Sequence, residues 1–185
     1  MVLAILIGII RGGRFSNIGT LRFKNWWLFV ASLISYLTIV VLGAAGNSIV
    51  VDYINELYAL TYGMLIIGIF MNVKYKPIMI IGFGALMNLV SFIMNKGIPV
   101  SVEGLKLAGE TQLADLISAG EKLLYVPFTA QTSLPILSKT IIFQANMPFE
   151  RVLSFGDVVI MIGVFVFIQY VLMHPDMDRY VRIRF

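Results

Sequence analysis

Six polar or acidic side chains stand where an otherwise apolar chain has the means to bind or transform something. Asn88, Ser91 and Asn95 lie in one apolar run, Asp157 heads another, and Asp52 and Glu56 precede a third. Gly84, Asn88, Ser91 and Asn95 follow at steps of four, three and four, which on a helix puts them on one face. Asp52 and Glu56, four apart, share a face in the same way. Asn95, Asp157, Asp52 and Glu56 all fall at the same end of their apolar segments, so one reading gathers them into a single polar mouth. The other leaves the acids solvated at headgroup level and uses the amides as hydrogen-bonding glue between helices. Asp157 has the same two readings. It is a carboxylate facing the mouth of a bundle, where acids are costly and tend to be functional, or a first-turn residue favoured by the free amides and dipole of a helix start.

Composition says what kind of chain positions these groups. Of 185 residues, 59% are hydrophobic and 13% charged, and the mean hydropathy is +0.90. Soluble domains run nearer about 45–50% apolar and about 25% charged, so a membrane protein is expected, with the lipid bilayer as its first partner. There is no cysteine, which excludes disulfides, a thiol nucleophile and thiolate metal sites. With His174 as the single histidine, no metal or haem site and no cofactor is expected. The basic residues flank apolar spans instead of lining one face, so nucleic acid is not a partner.

Residues 1–10 are apolar but about half the roughly 20 residues a spanning helix needs. Arg11 and Arg14 follow them, the reverse of a secretory signal. They are read as a short N-terminal helix, or as an interfacial one. Residues 11–25 carry Arg11, Arg14, Arg22 and Lys24 without an acid, and Trp26-Trp27 follow as interface anchors. Gly12-Gly13 lacks the spacing of a phosphate loop. Four full spans are predicted at residues 26–42, 57–73, 78–95 and 158–173. Ser32 and Ser35 can bond to carbonyls of their own helix, and Gly63 and Gly68 allow close helix approach.

Residues 96–153 form the only long loop. A helix capped by Ser101 is expected through about Gly120, followed by a stretch broken by Pro127, Pro135 and Pro148. This loop is predicted to cap the bundle on the extracytoplasmic side. The tail, with Arg179, Arg182 and Arg184, completes the basic segments: nine of the fourteen lysines and arginines lie in the three segments placed on the cytoplasmic side. The fold class is therefore an all-α polytopic transmembrane bundle with its N-terminus outside and its C-terminus cytoplasmic.

Several runs have a familiar order. These are Arg11-Gly12-Gly13-Arg14, Asn95-Lys96-Gly97-Ile98-Pro99-Val100-Ser101, Ser133-Leu134-Pro135-Ile136-Leu137 and Leu153-Ser154-Phe155-Gly156-Asp157. Together they resemble domain-of-unknown-function family 5317, small bacterial multi-pass proteins. The resemblance implies a bacterial plasma membrane and supplies no activity. Where an acid would follow Leu-Pro-x-Leu, this chain has Ser138 and Lys139. The run around Asp157 also looks like the last span of lipoprotein signal peptidase, which needs a second membrane-level aspartate to activate water. No Asn-x-x-Asp-Arg segment offers one. The leading expectation is a non-enzymatic protein that binds a small ligand or lipid, or a subunit of a membrane complex or self-assembly. A membrane hydrolase and a small oligomeric transporter are the alternatives.

Overall fold

The computed structural model describes residues 2–121, 124–143 and 152–174. Pro148 and the arginine-bearing tail lie outside the described residues. Among the described residues three helices are long and apolar enough to cross a membrane: α2 (Trp27–Ala44), α5 (Ile78–Asn95) and α8 (Phe155–Met173). The remaining predicted span, at residues 57–73, corresponds to α4 (Ile54–Phe70), which is apolar but 17 residues long, roughly 25 Å at 1.5 Å per residue. It begins and ends three residues earlier than its apolar run suggested. Residues 48–52, between two predicted spans, form the short helix α3 (Ser48–Asp52), started by the Asn47 side chain accepting from the Val50 amide. The N-terminal helix α1 (Val2–Ile10) has nine residues.

The helices pack as antiparallel neighbours. Ser32, Ser35 and Tyr36 of α2 meet Thr61 and Tyr58 of α4, while Leu28 and Phe29 meet Gly68. Tyr58 of α4 stacks on Phe92 of α5, and Ile69 reaches Gly82. Gly84 of α5 lies against Gly156 and Ile160 of α8, and Gly163 against Ile80 and Ile81. The α1 helix runs parallel to the second half of α8, with the Gln169 amide donating to the Ala4 carbonyl. Ser32 and Ser35 bond across to Thr61, at 3.0 and 2.6 Å, instead of to their own helix. Gly63 meets nothing, so only Gly68 of the two expected contact glycines sits at a close approach.

These contacts bring the loops to two ends. At one end Asn72 and Tyr75, both fully buried, sew the linker ahead of α2 to the turn ahead of α5. Asn72 accepts from the Lys24 amide and donates to the Lys24 carbonyl, and the Tyr75 hydroxyl does the same for Arg22. Arg14 joins this end through its amide to the Leu172 carbonyl. Backbone groups of Arg14, Arg22 and Lys24 are thereby paired within the chain.

The other end carries the cap. Asn95 gives way to Lys96 in a left-handed turn (φ 53°), and the chain enters β1 (Ile98–Val100). This strand pairs in parallel with β2 (Tyr125–Pro127), and Val100 also bridges to Lys139. Ser101 caps a helix as expected, but Gly109 (φ +85°) divides it into α6 (Val102–Leu107) and α7 (Thr111–Ser118). A second small sheet pairs β3 (Ile141–Ile142) with β4 (Val152–Leu153). The cap thus holds short strands where only helical and irregular structure was expected. Its own core is Val100, Leu105, Ala114, Ile117 and Val152.

Candidate functional site

The polar residues converge where the cap meets α5 and α8. Ser154 precedes α8 in an extended conformation, and its hydroxyl accepts from the Asp157 amide at 2.9 Å. Asp157 returns the contact through Oδ2 to the Ser154 amide, also at 2.9 Å. This capping box satisfies two amides that a helix start leaves open. The first-turn reading of Asp157 is therefore realised, but it does not exhaust the carboxylate. Oδ1 accepts from the Asn88 side chain at 2.7 Å, and Oδ2 lies 3.4 Å from the Lys139 ammonium. Asn88 in turn accepts from the Ser154 hydroxyl at 2.8 Å. Lys139 is 8% exposed and also lies over the Tyr125 ring, 6.0 Å from its centroid.

Lys139 thus meets the carboxylate from the position where the family resemblance implied an acid. Truncating one member of such a sequestered pair leaves the other charge uncompensated, so the two are tied together energetically.

This cluster closes one wall of a chamber of about 370 Å³. From α2 the chamber is lined by Phe29, Leu33 and Tyr36, from α4 by Tyr58, Tyr62 and Leu65, and from α5 by Asn88, Ser91 and Phe92. The cap contributes Pro99, Tyr125 and Lys139. Helices α2 and α4 pack on each other, as do α5 and α8, and α4 joins the two pairs, but no comparable packing joins α2 to α8. The chamber is thus bounded by α2, α4, α5 and the start of α8, beneath the cap. Ser91 is among the lining residues, but its hydroxyl is itself buried and has no hydrogen-bond partner among the described residues. Leaving a buried hydroxyl unmatched costs about 1–3 kcal/mol.

Of the six residues singled out by sequence, Asn88, Ser91 and Asp157 line the chamber. Asn95 shares their helix face but serves the cap: its Nδ2 donates to the carbonyls of Ser91 and Ser133, and its Oδ1 accepts from the Ser133 amide. Asp52 and Glu56 are exposed and do not line the chamber, so the structure does not bring them to the other three. Gly84 is absent from the chamber because its face is filled by the Gly156 carbonyl. Four tyrosines and Lys139 were missed as lining residues. Tyr58 and Tyr62, one turn apart on α4, were the visible hint. Among the described residues no group of three potential metal ligands exists.

A model for a family of unknown function, DUF5317, matches residues 20–169. The match contains α2, α4, α5, most of α8 and the whole Asn88–Ser154–Asp157–Lys139 cluster. No curated protein and no solved structure matches the chain.

Proposed function

The chain belongs to the DUF5317 family, whose description assigns no activity, and from the chamber itself we propose a non-enzymatic membrane protein that binds a small amphiphile or lipid. The observation that carries this reading is the roughly 370 Å³ space, largely apolar and aromatic, with Asn88, Asp157 and Lys139 grouped on one wall. Ligand sites combine these same features: an apolar body with a few polar groups that fix orientation. The polar head would sit by the cluster, with its apolar part between α2, α4 and α5.

Hydrolysis fits the geometry less well. A catalytic Asp157 would need an oxygen available to take a proton from water and a second carboxyl close by. Here Oδ1 is held by Asn88, Oδ2 by the Ser154 amide, and the neighbouring charge is the Lys139 cation.

The same proposal sets the chain in a bacterial plasma membrane with four passages, α4 included, the N-terminus outside and the C-terminus cytoplasmic. Its support is the gathering of Arg14, Arg22 and Lys24 at one end of the bundle, opposite the cap. The slight shortness of α4 is within what local bilayer thinning accommodates.

The test is extraction in mild detergent followed by native mass spectrometry and lipid analysis. A bound amphiphile should survive purification of the wild type and be lost from Leu65→Trp, which fills the chamber. Retention of the same species by the filled variant would overturn the reading.

A further inference from the structure

Separately from the chamber, we infer that the basic end of the bundle binds an anionic phospholipid. Its phosphodiester is held by Arg22, Lys24 and Lys76, and its chains lie along α2. The first observation is how these cations are presented. Leu21 and Phe23 are half-buried and pack with Tyr75 and Ile78, while Arg22 and Lys24 alternate with them and are exposed, as side chains on opposite sides of an extended segment do. Asn72 and Tyr75 bond Arg22 and Lys24 through main-chain groups, so this junction is fastened without using the guanidinium or the ammonium. The same turn carries Lys76, one residue past Tyr75 and also exposed. Lys74 has its ammonium over the Tyr75 ring, 4.7 Å from the centroid, and the site asks nothing of it.

The second observation is the sign of the charge. Among the described residues the acids stand at the cap end: Asp52 and Glu56 flank Ile54, which packs with Leu124 of the cap, and the others belong to the cap or to the start of α8. The tail beyond His174 carries, by sequence, three arginines to two aspartates, so it does not reverse the sign of the basic end. Such a surface attracts an anion.

The third observation favours a lipid over a soluble anion. Trp26 and Trp27 follow Lys24 within three residues and are 64% and 55% exposed. On α2 the exposed Val30, Ile34, Leu37 and Val41 continue from them at steps of four, three and four, on one face of the helix. Indoles settle at headgroup depth. The cations beside them therefore match the level of lipid phosphates, and an apolar stripe runs from there into the hydrocarbon. An acyl chain covers that stripe; a soluble phosphate ester leaves it bare.

Trp26 and Trp27 are the only tryptophans in the chain, so their fluorescence reports on this site. The full chain is reconstituted in vesicles of equimolar phosphatidylcholine and phosphatidylglycerol, with brominated chains on one headgroup or the other, and quenching gives the relative association of the two lipids. Wild-type protein should favour phosphatidylglycerol about fivefold at low salt. In about 1 M salt, where screening cuts the reach of charge to about 3 Å, the preference should fall below about twofold. Arg22→Gln with Lys24→Gln should bring it below about twofold at low salt, with the unfolding midpoint unchanged because Asn72 and Tyr75 hold main-chain groups. Lys76→Gln alone should lower it by a smaller step. Lys96→Gln with Lys106→Gln, the same loss of charge at exposed positions of the cap end, should leave it unchanged. Glycerol phosphate in the buffer should displace the lipid no better than sodium chloride of equal ionic strength. Equal quenching by the two lipids would overturn the site. So would a preference kept without Arg22 and Lys24, one lost equally from the cap pair, or displacement by glycerol phosphate. Quenching depends neither on which way the chain crosses nor on what fills the chamber, so this inference and the chamber reading can fail separately.

Discussion

Asn88 of α5 holds two residues of α8 at once: its Nδ2 donates to Asp157 Oδ1 at 2.7 Å while its Oδ1 accepts from the Ser154 hydroxyl at 2.8 Å. One amide side chain thus reads both halves of the α8 capping box. The start of α8 is fixed in rotation as well as in height, and this sets Asp157 toward Lys139 and the chamber.

Because Asp157 serves the cap, Asn88 and Lys139 together, its truncation should be felt throughout. Asp157→Ala removes the carboxylate half of the capping box, leaving the Ser154 N-cap bond in place, and a hydrogen bond to a charged group, about 1.5–3 kcal/mol. A clear drop in the thermal midpoint in detergent, followed by circular dichroism, is expected. Asp157→Asn retains capping ability and should lose less than half as much. Equal midpoints for Ala and wild type would show that the cluster does not hold the helix start.

Two helix glycines should answer an added methyl in opposite ways. A Cβ at Gly84 would stand 2.6 Å from the Gly156 carbonyl oxygen and 2.9 Å from the Ile160 amide nitrogen, backbone atoms that cannot step aside alone. Gly84→Ala should destabilise the α5–α8 pair by about 1–3 kcal/mol. Gly63 has nothing within 4 Å of that position, and Gly63→Ala should stabilise by up to about 1 kcal/mol through helix propensity. Thermal unfolding of the two variants side by side checks both.

Asn95 clamps the cap to the bundle through both backbone groups of Ser133. In Asn95→Ala the loop around Ser133 should open more often, by about 1–1.5 kcal/mol and hence about tenfold in exchange rate. Hydrogen–deuterium exchange at residues 129–134 measures this. Unchanged protection there would place the clamp elsewhere.

Orientation can be tested cleanly because the chain has no cysteine of its own. Ser16 and Glu121 are exposed at opposite ends of the bundle. With a membrane-impermeant thiol reagent added to intact cells, Glu121→Cys should label and Ser16→Cys should label only after lysis. The reverse pattern would invert the proposed topology.

How much of this was legible beforehand divides along a physical line. Long apolar runs, the Ser101 cap and the basic linkers could be read directly, because span length and charge are properties of local sequence. Which side of each helix faces its neighbours could not. In water an apolar stripe marks the buried face, but lipid is as apolar as a bundle interior. The α8 helix, apolar on all sides, gives no sign that Gly163 faces α5 while Met161 and Ile162 are exposed. For the same reason Ser32 and Ser35 passed for self-satisfied hydroxyls, and Asp52 and Glu56 passed for neighbours of Asp157 on depth alone. Asn88 was legible because an amide in an apolar run demands a partner. That its partner would be Asp157, 69 residues away, depends on helix packing.

Lys139 reaches the cluster from the cap, and its backbone is fastened on both sides: its amide donates to the Pro99 carbonyl at 2.8 Å and its carbonyl accepts from the Ser101 amide at 2.9 Å. Drawing its ammonium away from Asp157 therefore pulls on a miniature ladder whose rail, β1, continues from the last turn of α5. The cluster on the chamber wall is therefore mechanically coupled to the cap, and a displaced Lys139 would be felt there without any long helix having to move.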